Sequence, residues 1–194
     1  MILRRSGKTP FKFDSQKAIQ AVAFLLKQRH ETNCSDNYMR VLKLLYFAER
    51  ESLSETGRPI TGDSFVAMKN GPTLSHLLDS VNQRGVNNKE WDKYILREGY
   101  NIRLIQDPGN GKLCRYEIDL LKKICEEYRE KSEWDIVEES HKLPEWQKNN
   151  PGESSKAIPL SDLLEAVGRL DWLEDIIQMS QERTEIGRVL RPNF

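Results

Sequence analysis

Apolar residues recur at helical spacing through most of the chain. From Ser15 to about Arg29, Ile19, Val22, Leu25 and Leu26 fall on one face, and Asp14 is placed to accept the free N–H groups of the first turn. Phe13, just before that cap, is positioned to fold back as a staple. The strongest pattern follows, in Tyr38–Val81. Met39, Leu42, Leu45, Tyr46 and Leu53 trace one stripe, and Val41, Leu44, Phe47 and Ala48 widen it over most of the helix circumference. Such a helix is expected at the centre of the core. Its start is expected at a Ser35 cap with Asp36 in the first turn, and its end at Gly57 in the left-handed conformation, with Pro59 forbidding continuation.

Phe65–Met68 reads as a short strand or extended segment. Asn70-Gly71-Pro72 reads as a turn that opens a helix over about Thr73–Gln83, with Pro72 in its first position, Leu74, Leu77, Leu78 and Val81 inward, and Gly85 closing it. His76 is expected at the surface. Trp91 and Tyr94 suggest a short helical turn. NIRLIQD and LCRYEI flank PGNGK and predict a hairpin that places Cys114 on a strand. Asp119 is the expected cap of a helix over about Leu120–Glu130. Ser132–Asp135 resembles a capping box, with Asp in place of Glu, before a short helix to about His141. Asn149–Ser155, NNPGESS, is the clearest loop. Helices opening at Ile158–Ser161 and spanning about Asp171–Thr184 close the chain.

The fold class expected is mainly α with a small β element, α+β, a compact helical domain with a short hairpin. The chain divides into a basic N-terminal arm (residues 1–13), a domain over residues 14–148, and a C-terminal helical extension (residues 149–194) packed on it. Gly7 and Pro10 argue against regular structure in the arm, where Arg4, Arg5, Lys8 and Lys12 are placed to touch phosphates.

Composition narrows the function classes. The 194 residues are 38% hydrophobic and 31% charged, and no apolar run approaches the roughly 20 residues that span a bilayer. A secretory signal pattern is absent from the first residues, so a cytoplasmic protein is expected. Thirty basic and thirty acidic residues cancel, but residues 1–50 hold ten Lys/Arg against four Asp/Glu, a local +6. The basic residues are scattered along helices rather than packed in a block, which reads as a solvated surface and makes nucleic acid the lesser candidate partner. Cys34, Cys114 and Cys125 form no CxxC pair, and no cofactor or metal site is expected. Three histidines, His30, His76 and His141, leave little material for a triad, and no nucleophile–base or paired-acid motif stands out. Glu126/Glu127 and Glu138/Glu139 read as solvated helix faces. Cys114, with Arg115 beside it, is expected to be buried in the core. No catalytic residue is assigned and no enzymatic activity is expected.

Two features leave alternatives open. Lys43 lies inside the apolar stretch, either snorkelling to the surface or making a salt bridge or a partner contact. His141, Pro144 and Trp146 form either an aromatic stacking site with a titratable donor or a helix end pinned by Trp146.

The string KLLYFAERESLSETGRPITGDSFVAMKNGP resembles the Panacea domain, the SocA-like antitoxin family also known from phage-associated GepA-like proteins. Lys43, Leu44, Leu45 and Tyr46 match its KLLYYA helix. Thr56, Gly57 and Pro59 match a TG.P element, and Ala67, Lys69, Gly71 and Pro72 match A-W-K-Y-GP. Ser140, His141, Pro144 and Trp146 look like the family's closing S-H..-P-W element. Met68 and Asn70 stand where aromatics are common, and Thr73-Leu74 replaces valines. The resemblance covers about Phe13–Trp146. It implies a mostly helical fold with a small sheet, and an antitoxin that binds the toxin protein encoded beside it. One branch of the family is instead an adaptor that delivers its toxin to a AAA+ protease. On this reading Lys43, Lys69, Trp134, His141 and Trp146 are the candidate partner-binding residues, with the tryptophans as anchors and Glu126, Glu127, Glu138 and Glu139 able to complement a basic toxin cleft.

Overall fold

A computed structural model describes residues 9–29, 34–83 and 88–189, without the side chains of residues 183–184 and 187–189. Arg4, Arg5, Lys8, His30 and Gly85, the residue expected to close a helix, lie outside the described residues. The fold is mainly α with two small antiparallel sheets of three strands each. In chain order come α1 (Ser15–Arg29), β1 (Ser35–Asn37), α2 (Tyr38–Thr56), β2 (Phe65–Met68), β3 (Gly71–Leu74), α3 (Ser75–Val81), β4 (Ile95–Glu98) and β5 (Asn101–Leu104). There follow α4 (Arg115–Glu127), α5 (Glu133–His141), α6 (Pro144–Lys148), β6 (Lys156–Ala157), α7 (Leu160–Ala166) and α8 (Leu173–Val189). Single 3-10 turns stand at Trp91–Lys93 and Leu170–Trp172.

Helix α2 is the hub. Twelve of its 19 residues are buried, and α1, α3, α4, α5 and α7 all pack on it. Tyr46, Leu45, Ala48 and Leu53 are fully enclosed. Gly57 ends the helix at φ 69°, its N–H donating to the Leu53 carbonyl, as its sequence position predicts. Just beyond, the buried carboxylate of Glu49 accepts the Ile60 and Thr61 N–H groups at 2.5 and 2.7 Å and the Thr61 hydroxyl. It thereby ties the returning loop to the helix. Burial pushes its pKa up to about 7.

Other local expectations hold as well. Asp14 accepts the Lys17 N–H at 3.0 Å and caps α1. Ser132 and Asp135 make a reciprocal capping box on α5. Trp91–Lys93 is the expected helical turn, with Trp91 buried.

Three expectations are corrected. Ser35 is not the cap of α2. Residues Ser35–Asn37 pair antiparallel with β5, Ser35 opposite Arg103, and the cap moves to Asn37, whose side chain accepts the Met39 N–H at 2.9 Å. Pairing with a distant strand overrides the local capping preference. Pro72 likewise does not open a helix. It lies in β3, opposite Ala67 of β2, on the edge of a sheet ordered β3-β2-β6, where a residue without an N–H is tolerated. The helix begins later, at Ser75, and Asp63 caps it from a distance by accepting the His76 and Leu77 N–H groups at 2.9 and 3.0 Å. Finally, PGNGK is no hairpin turn. The hairpin lies upstream, β4 with β5, and LCRYEI enters α4. Cys114 is the N-cap of α4, exposed rather than buried on a strand. Glu117 accepts the Cys114 N–H at 2.9 Å to close a capping box, and Asp119 falls inside the helix.

The chain after Asn149 adds β6, whose Lys156 and Ala157 pair with Ala67 and Val66 of β2. Ile158, Leu163, Leu164 and Ile176 enter the same core as α2.

Candidate functional site

The tip of the β2–β3 hairpin, Lys69-Asn70, is held by side chains from three helices. Trp146 of α6 donates from Nε1 to the Met68 carbonyl at 3.0 Å. His141 of α5 places Nε2 3.2 Å from the Lys69 carbonyl. A carbonyl only accepts, so Nε2 carries the proton. Lys43 of α2 donates from Nζ to the Pro72 carbonyl at 2.5 Å. The His141 and Trp146 rings stack with centroids 4.2 Å apart. Gly71 sits in the middle at φ 88°, and a Cβ there would overlap Ser140 Oγ and lie 2.7 Å from Lys43 Nζ. Only glycine provides both the backbone conformation and the space.

Burial explains the electrostatics. Lys43 is 3% exposed, and no carboxylate pairs with it among the described residues, so desolvation pulls its pKa down to about 7. The side chain neither snorkels nor forms a salt bridge; it ends on a backbone carbonyl. His141 is half-buried, and desolvation lowers its pKa in spite of the contact with the Lys69 carbonyl, favouring the neutral ring. Beside this cluster, Glu145 of α6 is buried. Its Oε1 accepts the Tyr46 hydroxyl at 3.1 Å and Arg50 Nε at 2.8 Å, while Oε2 has no hydrogen-bond partner among the described residues. Burial, followed by the Glu145 charge, drives the Tyr46 pKa well above its ordinary value, and the phenol stays protonated. No sequence signal singled out Glu145. The nearest clue is its place between Pro144 and Trp146.

The candidate residues therefore separate by depth. Lys43 and Trp146 lie beneath the hairpin tip. Lys69 projects outward and pairs with Glu153 at 3.0 Å, both side chains well exposed. Trp134 is 59% exposed at the start of α5, seven residues and so two turns before His141 on the same helix face. Glu126, Glu127 and Glu138 are exposed, as expected of solvated faces. His76 is half-exposed as expected, but it is also bound: Nδ1 lies 2.7 Å from Asp63 Oδ1 and its ring stacks on Phe13. Among the described residues no group of three His, Cys, Asp or Glu is arranged to hold a metal ion, and no helix is long and apolar enough to cross a membrane.

The stretches that converge on the hairpin tip, Lys43–Tyr46 of α2, Gly71-Pro72 and Ser140–Trp146, all lie inside one region matched by a family model. No curated protein and no solved structure matches the chain. A family model described as antitoxin SocA-like, Panacea domain, matches residues 41–147. That range takes in α2 from Val41 onward, both strands of the clamped hairpin, α4, α5 and all but the last residue of α6, more than half of the chain, and the protein belongs to the SocA-like antitoxin, Panacea domain, family.

Proposed function

We propose that the protein neutralises the toxin encoded beside it by binding that toxin directly. Its family is one of antitoxins. The observation that carries the mechanism is the use made of the polar residues at the site. Lys43, His141 and Trp146 each direct a donor at a backbone carbonyl, of Pro72, Lys69 and Met68 respectively. These groups work as braces. They hold a hairpin tip in one position against α5 and leave Lys69, Asn70 and the outer face of α5 to meet a partner. A pre-ordered surface loses less entropy on binding than a loose one, which suits a protein that blocks another by covering it.

The test is co-expression with the product of the adjacent gene in a bacterial host. Neutralisation by binding predicts restored growth, a stable toxin and a complex that survives purification. Growth arrest with no complex overturns the proposal. A toxin whose half-life falls sharply when this protein is present, and recovers when a AAA+ protease is deleted, replaces it with the adaptor mechanism.

A further inference from the structure

The outer face of α5 has the chemistry of a cation-binding surface. Ile136, Val137 and Ser140 point into the protein, which turns Trp134 and Glu138 outward, four residues apart and hence side by side. Trp134 is 59% exposed, a large indole surface left in water with no ring contact among the described residues. Four acidic residues lie on this nine-residue helix, Glu133, Asp135, Glu138 and Glu139. Their neighbours do not neutralise them evenly. Lys131 and Lys142 both pair with Glu139, at 3.5 and 3.2 Å. Glu133 accepts from the uncharged Asn37 side chain at 3.3 Å, and Asp135 from Ser132. Glu138 has no ion pair or hydrogen bond among the described residues.

The surface continues past the helix. Glu133 is bonded to Asn37, and the next residue, Tyr38, donates its N–H to the carbonyl of Tyr100 at 2.9 Å. Tyr100 sits in the β4–β5 turn and is 76% exposed. Asn37-Tyr38 is thus bonded on one side to the residue before Trp134 and on the other to the backbone of Tyr100, two residues whose rings are exposed.

Resting on the direct-binding reading above, we propose that this face is where the toxin docks, with an arginine or lysine side chain of the toxin laid across the Trp134 indole and its charge met by Glu138. An aromatic face attracts a cation through its quadrupole, and an adjacent carboxylate adds a charge-assisted bond. Tryptophan is also among the residues most often dominant at interfaces. The partner element is accordingly basic, and association is steered by charge and weakens with salt.

The test uses the full chain and the purified product of the adjacent gene, with affinity measured by calorimetry at several salt concentrations. Trp134→Ala should weaken binding by about 30-fold or more, as hot-spot truncations do, and Trp134→Phe by less because it keeps a ring. Glu138→Gln should weaken binding by about 5-fold and flatten the salt dependence. Leu170→Ala, at an exposed residue on the Leu170–Trp172 turn, should bind as wild type. Both α5 positions are exposed, so circular dichroism and melting should not change. If wild type binds tightly while Trp134→Ala and Glu138→Gln both stay within about twofold, the docking face is wrong and the antitoxin reading stands. If wild type itself neither binds nor restores growth, the antitoxin reading fails and this surface with it.

Discussion

Gly71 carries the sharpest constraint on a single residue. Its φ of 88° is one that side chains rarely adopt, and a Cβ would press on Ser140 Oγ and Lys43 Nζ at once. Ser140 is fully buried and its hydroxyl donates to the Val137 carbonyl at 2.8 Å, so neither neighbour can retreat into solvent. Gly71→Ala should destabilise the fold by about 3 kcal/mol through backbone strain plus overlap. Urea denaturation measures this, and a loss under about 1 kcal/mol would show that the cluster relaxes. Lys43 makes a prediction about pH. Its folded pKa, about 7, lies below the ordinary 10.5. Between those values the unfolded chain holds the proton and the folded chain does not, so this group makes stability rise with pH across that window. Below pH 7 both states carry the charge and the slope vanishes. Wild type should therefore gain on Lys43→Met by an amount on the order of a few kcal/mol from pH 7 to pH 10. Parallel stability curves for the two proteins would show that Lys43 stays charged when buried.

At the scale of elements, the helices were legible and most of the strands were not. Ser15–Arg29 and the α5 start at Ser132 follow from caps and apolar spacing, which are local. By contrast β1, β3 and β6 are three, four and two residues long, and each exists because a distant strand pairs with it. Nothing near Lys156 announces that Val66 and Ala67 lie opposite. The candidate site divides in the same way. Lys43 and Trp146 stood out by type and motif, but the sequence does not say that both aim inward at the hairpin carbonyls, since that depends on how α2, α5 and α6 pack. The α4 boundary shows the same limit on a smaller scale. A short apolar alternation in LCRYEI fits a strand as well as a helix start, and the capping box formed by Cys114 and Glu117 decides for the helix. A thiol is a poor acceptor beside a hydroxyl, and Cys114 is exposed, so Cys114→Ser should stabilise the protein, by about 0.5–1 kcal/mol. A small rise in melting temperature is the expected reading; a fall would mean that the thiol packs in a way a hydroxyl does not reproduce.

At the scale of the whole molecule, the question is whether the matched region can stand without the chain that follows it. The family match ends at residue 147, but the core does not. Ile158, Leu163 and Leu164 are fully buried, and Leu160, Leu173 and Ile176 nearly so. Arg169 donates to the Ser54 carbonyl at 2.9 Å near the end of α2, and Trp172 and Ile176 approach Gly57. Strand β6 covers one edge of β2. Asn149 is itself buried, bonded through Nδ2 to the Glu145 carbonyl at 3.1 Å and to Asp162 at 2.8 Å. Burying one such aliphatic side chain contributes about 1.5–3 kcal/mol. Six of them therefore supply roughly 10 kcal/mol, as much as the whole net stability of a typical domain. A chain ending at Asn149 also uncovers the apolar surfaces of α2 and β2 that these residues meet. It should accordingly fail to unfold cooperatively in urea, and it should bind a hydrophobic dye such as ANS. Loss of toxin binding in that truncation would then report a lost fold rather than a lost contact. A sharp, two-state transition for residues 1–149, with native near-ultraviolet dichroism, would instead show that α7 and α8 are an appendage on a domain that is stable by itself.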